Sequence, residues 1–229
     1  MNDAPHHPRD LGLEIKALAK GFPSPGGWRT LFDGLTLRLP AGARVALLGA
    51  NGAGKSTLLS ILAGTQRPDR GLVRSRGRVS WPLGFSGGFA NDLTGLQNAR
   101  FVARIHGADT DATADFVTAF SELGPDMRLP VRAYSAGMRA RLAFGLSMAL
   151  AFDWYLVDEI IAVGDQRFRA RAEAMFRDRL STAGLIMVSH APAILRQYCQ
   201  GAILLHRGQA QVFDDLEEAL ERQAALAPA

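Results

Sequence analysis

The chain of 229 residues contains a single cysteine, Cys199, which excludes an intrachain disulfide framework and points to a reducing compartment. Lysine is nearly absent too. Only Lys16, Lys20 and Lys55 stand among 26 basic residues, so the cationic side chains are almost all arginine. Long apolar runs are missing. The longest mostly apolar stretch, Leu142 to Phe152, ends at Asp153, short of the ~20 residues that a membrane-spanning helix needs. The opening MNDAPHHPRD has no apolar segment, so residues 1–10 read as a disordered tail and not as a secretory signal. His6 and His7 lack the further ligands of a metal site. A strong charge excess is absent as well: 26 basic against 22 acidic residues leave +4, too little to call for nucleic acid or an anionic surface. Arg74, Arg76 and Arg78 alternate and would share one face of an extended chain; they read as a solvated face.

What is present is ordinary for a soluble globular chain, with 48% hydrophobic and 21% charged residues. At this length folding buries roughly 70% of the unfolded surface without any staple. Short extended runs come first: LEIKAL, LTLRL and RVALLG, punctuated at Pro23–Gly27 and Pro40–Gly42. A helix is expected from Lys55 to Ala63, then a pair of short strands in GLVRSRGRVSW. Between about Thr94 and Ala151 the apolar spacing turns helical, through Leu96, Ala99, Val102 and Ala103, and Met138 to Leu150 is apolar nearly all round. Strands WYLV, LIMVS, AILLH and QVF then alternate with helices at Gln166–Leu180 and from about Asp215. Such alternation predicts an α/β fold with a mostly parallel sheet, the central helical stretch forming an inserted lobe. No internal repeat or low-complexity tract is visible.

Gly49-Ala-Asn-Gly-Ala-Gly54-Lys55-Ser56-Thr57 matches G-x-x-x-x-G-K-[ST] at every fixed position, after the apolar strand Val45–Leu48 and before a helix. Glycines let the amides of this loop, across Asn51, Gly52, Ala53 and Gly54, turn inward around phosphates. Lys55 reaches the β- and γ-phosphates, and the hydroxyl of Ser56, next to Thr57, is placed for Mg²⁺. The helix N-terminus favours the anion. The pattern alone leaves kinases, GTPases, motor ATPases and transporter ATPases open. Leu156-Val157-Asp158-Glu159 is an apolar strand ending in two carboxylates. Asp158 can hold Mg²⁺ and Glu159 can control an attacking water; the bland alternative is a helix N-cap.

Between these two motifs, Tyr134-Ser-Ala-Gly-Met138 resembles the LSGGQ signature of ATP-binding-cassette proteins. Alone, it would be an N-cap more often than not. Downstream, Ala162-Val-Gly-Asp165 resembles the family's D-loop, and His190 in VSHAP its switch histidine. The resemblance covers about residues 11–215. SWPLGFSGGF, DLTG, FVARIHG, YSAGMRARLAFGLSMA and VDEIIAVGD narrow it to ATPase subunits that export capsular polysaccharide or O-antigen. It implies a P-loop NTPase (RecA-like) core, an N-terminal antiparallel β subdomain and an inserted helical subdomain at about 90–151, within one nucleotide-binding domain over 11–229. It also implies ATP and Mg²⁺ as cofactors, an integral membrane permease of two copies as partner, and a head-to-tail homodimer that sandwiches ATP. Lys55 and Ser56 of one copy would then face Ser135 and Gly137 of the other. Asp158 would serve Mg²⁺, Glu159 the water, His190 the γ-phosphate, and Asp165 would belong to the nucleotide site. The expected location is peripheral, on the cytoplasmic side of the bacterial inner membrane, with no nucleic acid as partner.

Two positions depart from the broad family pattern. The usual Q-loop glutamine has no counterpart: Phe85 falls nearest, and Gln97 lies beyond it. For the aromatic that stacks on adenine the chain offers Phe22, with Trp28 as a rival, and either could instead be packing. About 15 residues follow Asp214, too few for a carbohydrate-binding domain, which favours a capsule-type exporter over an O-antigen one. A GTPase is disfavoured because no Asn-Lys-x-Asp motif is present. A cassette ATPase acting on nucleic acid or ribosomes is the remaining alternative, and the single cassette and mild charge speak against it.

Overall fold

Alternation of apolar and polar residues in Leu35, Leu37 and Leu39 buries one face of an extended strand, and its partner strand does the same with Leu13, Ile15 and Leu18. The computed structural model describes residues 11–83, 88–159 and 164–226. In chain order its elements are β1 (Leu11–Ser24), β2 (Gly27–Pro40), β3 (Arg44–Gly49), α1 (Lys55–Leu62), β4 (Arg70–Ser75), β5 (Val79–Leu83), α2 (Gly95–Ile105), α3 (Thr110–Ser121), α4 (Ala136–Ala149), β6 (Trp154–Asp158), α5 (Gln166–Arg179), β7 (Gly184–Val188), α6 (Pro192–Tyr198), β8 (Gly201–His206), β9 (Gln209–Phe213) and α7 (Leu216–Ala225). They fall into two compact units. The first holds residues up to Pro82 with Phe152–Glu159 and Thr182 onward; the second holds Leu83–Ala151 and Ile160–Ser181.

In the first unit, β1 pairs antiparallel with β2 and β4 to make a three-stranded sheet, and a six-stranded sheet runs in the order β5-β6-β7-β3-β8-β9. The β6/β7, β7/β3 and β3/β8 pairings are parallel, and β9 pairs antiparallel with β8. All five residues of β7 are buried, as expected of a central strand covered on both faces. The expectation of an α/β fold with a mostly parallel sheet holds. One apolar core joins Leu13, Ile15 and Leu18 to Leu47, Leu58, Leu62, Trp154 and Ile186.

Local expectations are refined at three places. The Pro23–Gly27 segment does not separate two short strands; β1 and β2 run on through it and close in a hairpin at Pro25 and Gly26, where Ser24 pairs with Gly27. GLVRSRGRVSW does hold two strands, but they join different sheets, because the chain turns at Gly77 with φ 89°. Only Arg74 of the three alternating arginines lies in β4, so they do not share one strand face, although all three are exposed. The second unit holds α5 together with α2, α3 and α4.

Each long helix of the second unit starts on a side-chain cap. Thr94 and Gln97 form a reciprocal capping box on α2, so the Gln97 side chain is occupied in capping the start of the helix. Asp109 caps α3, Ser135 caps α4 and Asp165 caps α5. Phe120 stacks with Phe144 and meets Phe168 edge-on, centroids 6.0 and 5.4 Å apart, tying α3, α4 and α5 together.

Candidate nucleotide site

The loop between β3 and α1 needs two of its glycines for different reasons. At Gly54, φ is 100° and an added Cβ would lie 2.6 Å from the Phe32 ring; at Gly49, φ is 146° and the Leu205 carbonyl oxygen would be 2.6 Å away. Both positions demand a backbone that side chains resist and space that they would fill. The result is a turn that delivers Lys55 to the first residue of α1. Its ammonium donates to the carbonyls of Gly49 at 2.7 Å and Ala50 at 3.1 Å. Ser56 and Thr57 follow in the first turn of α1, whose buried Leu58, Leu59, Ile61 and Leu62 anchor it on the core.

β6 brings up the carboxylates. Asp158 is the last ladder residue, paired with Val188 of β7. Glu159, one residue on, takes a left-handed backbone with φ 63° while its amide donates to the Val188 carbonyl at 3.0 Å. A left-handed glutamate costs about 1–3 kcal/mol and persists only where the surroundings hold it. Glu159 Oε1 lies 2.7 Å from His190 Nε2, beyond the end of β7.

These groups line one open cavity of about 570 Å³. Phe22 and Arg29 come from the hairpin, Asn51, Gly52, Gly54, Lys55, Ser56 and Thr57 from the loop and α1, and Asp158, Glu159 and His190 from the strand ends. That volume suits a small-molecule site. Gly49 instead lines a smaller cavity of about 110 Å³ behind Lys55 and His190, and Ala53 faces a neighbouring groove with Arg29. Ser135, Gly137 and Asp165 belong to the second unit. There Ser135 Oγ accepts from the Met138 amide at 3.2 Å, so it is the N-cap of α4, and Asp165 is bound by Arg141 at 2.7 Å. The Phe168 amide first, and Arg141 after it, hold the Asp165 carboxyl below its ordinary range. Ala162 and Val163 of the D-loop resemblance, and Phe85 and Ser86, lie outside the described residues.

Phe22 and Trp28 are placed differently. Phe22 lines the cavity. Trp28 lies against Gly21, where an added Cβ would be 2.4 Å from its indole nitrogen, and it is 63% exposed. Sequence reasoning missed Arg29. It is paired with Phe22 across the hairpin, and its guanidinium donates to the Gly52 carbonyl at 3.1 Å, bracing the loop from β2. No spacing or motif marks it.

The donor set also suits Mg²⁺. A serine hydroxyl and a carboxylate oxygen line the same cavity, and Mg²⁺ prefers one or two hard protein oxygens completed by water and phosphate. Among the described residues no group of three or more His, Cys, Asp or Glu side chains is placed to hold a metal by itself.

Comparison with known proteins gives a consistent picture. The family model described as "ABC transporter" matches residues 32–162. The polysialic acid transport ATP-binding protein KpsT of Escherichia coli is 44% identical over 211 residues, covering 91% of this chain and 96% of KpsT. The capsule polysaccharide export ATP-binding protein CtrD of Neisseria meningitidis is 40% identical over 214 residues, covering 93% of this chain and 99% of CtrD. Among solved structures, the dimeric ATP-binding cassette MJ0796 in a post-hydrolysis state bound to ADP and Pi superposes with a TM-score of 0.72 at 16% identity, over 89% of this chain and 98% of that one; at that identity the likeness speaks for the fold.

Proposed function

We propose, from the premise that this chain belongs to the ABC transporter family, that it is the ATP-hydrolysing subunit of an exporter moving capsular polysaccharide across the bacterial inner membrane. The observation that carries the hydrolytic part is the meeting, in one cavity, of a phosphate loop with a carboxylate–histidine pair. Lys55 and the loop amides bind the β- and γ-phosphates. Ser56 and Asp158 would hold Mg²⁺, which when bound neutralises charge on the phosphate oxygens. Glu159 orients the water for attack, and His190, on its carboxylate, contacts the γ-phosphate side. Phosphoryl transfer depends chiefly on such positioning and electrostatics. The capsule part rests on the near full-length similarity to KpsT and CtrD.

In this reading two copies pair head to tail, Ser135, Gly137 and Asp165 of one completing the site of the other, and the pair serves a permease of two subunits. The chain works in this reading from the cytoplasmic face, peripherally, as a subunit alongside the membrane-embedded permease; no helix among its described residues is long and apolar enough to cross a membrane. Purification from detergent-solubilised membranes tests the assignment: a single polytopic partner recovered with the chain is expected, and recovery of ribosomes or nucleic acid in its place sinks it.

Two smaller predictions follow from this arrangement. Phe22 stacks on adenine, so Phe22→Ala should weaken ATP binding by about 1–3 kcal/mol, the scale of a base–aromatic contact, while Trp28→Ala leaves it within a few-fold. Equilibrium titration decides, and the reverse pattern transfers the role to Trp28. The permease contact is placed on the segment before α2 and on α2 itself, where Phe101 and Ile105 are 47% and 63% exposed one helical turn apart. Cysteine cross-linking to the permease loops from Asn91 or Phe101 should succeed. The native background is low, because Cys199 is buried and burial pushes its thiol up to about 12. Absence of any cross-link along residues 88–105 removes that surface from the model of assembly.

A further inference from the structure

Phe22 does not stand alone at the cavity edge. The ammonium of Lys20, two residues back along β1, lies over the Phe22 ring, 5.3 Å from its centroid, within the reach of a cation–π contact. A surface lysine would ordinarily sample many rotamers, but this side chain is only 13% exposed and donates to Asp69 Oδ1 at 2.7 Å. The second oxygen, Asp69 Oδ2, accepts from the amide of Gly21 at 2.8 Å, between Lys20 and Phe22. The Asp69 amide in turn donates to the Ala19 carbonyl at 2.9 Å. One aspartate therefore grips three consecutive residues of β1 just where the β1/β2 register is irregular, between Lys20 and Gly21.

We infer that Lys20, locked by Asp69, is a positioning residue for base recognition: its ammonium occupies one face of the Phe22 ring, fixes the plane of that ring, and leaves the opposite face for the purine. This rests on the reading of Phe22 as the adenine platform. Two aromatic faces repel when both carry the negative side of their quadrupoles. A cation on the far side draws the ring's electron density toward itself, so the free face becomes less negative and a better bed for an electron-rich base. Asp69 supplies the constraint. Its carboxyl is held below the usual range, by the Lys20 hydrogen bond first and the Gly21 amide second, so it stays ionised in the neutral range.

The test uses the full chain and a fluorescent ATP analogue displaced by ATP or by inorganic triphosphate, which has phosphates but no base. Lys20→Met keeps the stem and removes the charge; it should weaken ATP by about two- to fivefold, the span of an exposed cation–π contact, and leave triphosphate unchanged. Lys20→Arg, which can both stack and pair with Asp69, should restore ATP binding. In a Phe22→Ala background the Lys20→Met loss should vanish, because Lys20 acts through the ring. Equal losses for ATP and triphosphate, or a loss that persists without Phe22, overturn the inference by placing Lys20 in folding or phosphate binding. If Phe22→Ala weakens ATP and Lys20→Met does nothing, Lys20 is dismissed and the platform stands. If Phe22→Ala itself is silent, the platform falls, and the role of Lys20 falls with it.

Discussion

A Glu159→Gln protein should bind ATP with near-normal affinity and hydrolyse it about 10²–10⁴-fold more slowly, the usual cost of losing a general base. The substitution is nearly isosteric. Gln Oε1 can still face His190 Nε2, which lies 2.7 Å from Glu159 Oε1, and the left-handed turn that carries the residue is fixed by its amide on the Val188 carbonyl. The charge and the basicity are what disappear. Lys55, Ser56 and the loop glycines are untouched, so nucleotide should be retained, and in the head-to-tail reading ATP would accumulate between two copies. Phosphate release and ATP-dependent dimer mass measure the two halves of this expectation. A variant that hydrolyses within a few-fold of the parent would reduce Glu159 to a structural residue, since that margin is far inside the loss expected for a base.

Most residues that line the cavity were legible in sequence because they sit where apolar strands end. β3, β6 and β7 are short runs of buried residues, and in a parallel sheet the loops after neighbouring strands open on the same edge. Gly49 to Thr57, Asp158, Glu159 and His190 end or follow three such strands, which lie side by side in the order β6-β7-β3. Less of the hairpin could be read. Pro and Gly at 23–27 look like a break between elements, whereas the pairing of Ser24 with Gly27 carries both strands to the turn. The partners of Phe22 depend on that register, which no local pattern sets: Arg29 reaches Gly52 and Lys20 reaches Asp69 only because antiparallel pairing and its irregularities bring them there. The seven-residue α6 was too short to show a helical period. Nor can a sequence announce that a glutamate will adopt φ 63°, because the preference is against it and tertiary contacts override it.

Lys55→Met should give the opposite defect to Glu159→Gln. The ammonium stands inside the loop, donating to the Gly49 carbonyl at 2.7 Å and the Ala50 carbonyl at 3.1 Å. A lysine has three donors, so it braces the first turn of the loop and keeps a donor for a phosphate oxygen. Methionine retains the stem and loses the charge. One charge-assisted hydrogen bond is worth about 1.5–3 kcal/mol, so losing the phosphate contact alone predicts roughly 10- to 150-fold weaker ATP binding. Loosening of the loop adds to that. The fold should survive, because α1 is held by Leu58, Leu59, Ile61 and Leu62 in the core and not by Lys55. Thermal melting without nucleotide should therefore match the parent, while at a fixed ATP concentration the melting temperature should rise for the parent and for Glu159→Gln and much less for Lys55→Met. ATP-dependent dimers should be absent as well. A Lys55→Met protein that is stabilised by ATP as strongly as the parent would show that the loop amides and helix terminus suffice for the phosphates, and the lysine would lose its place in binding.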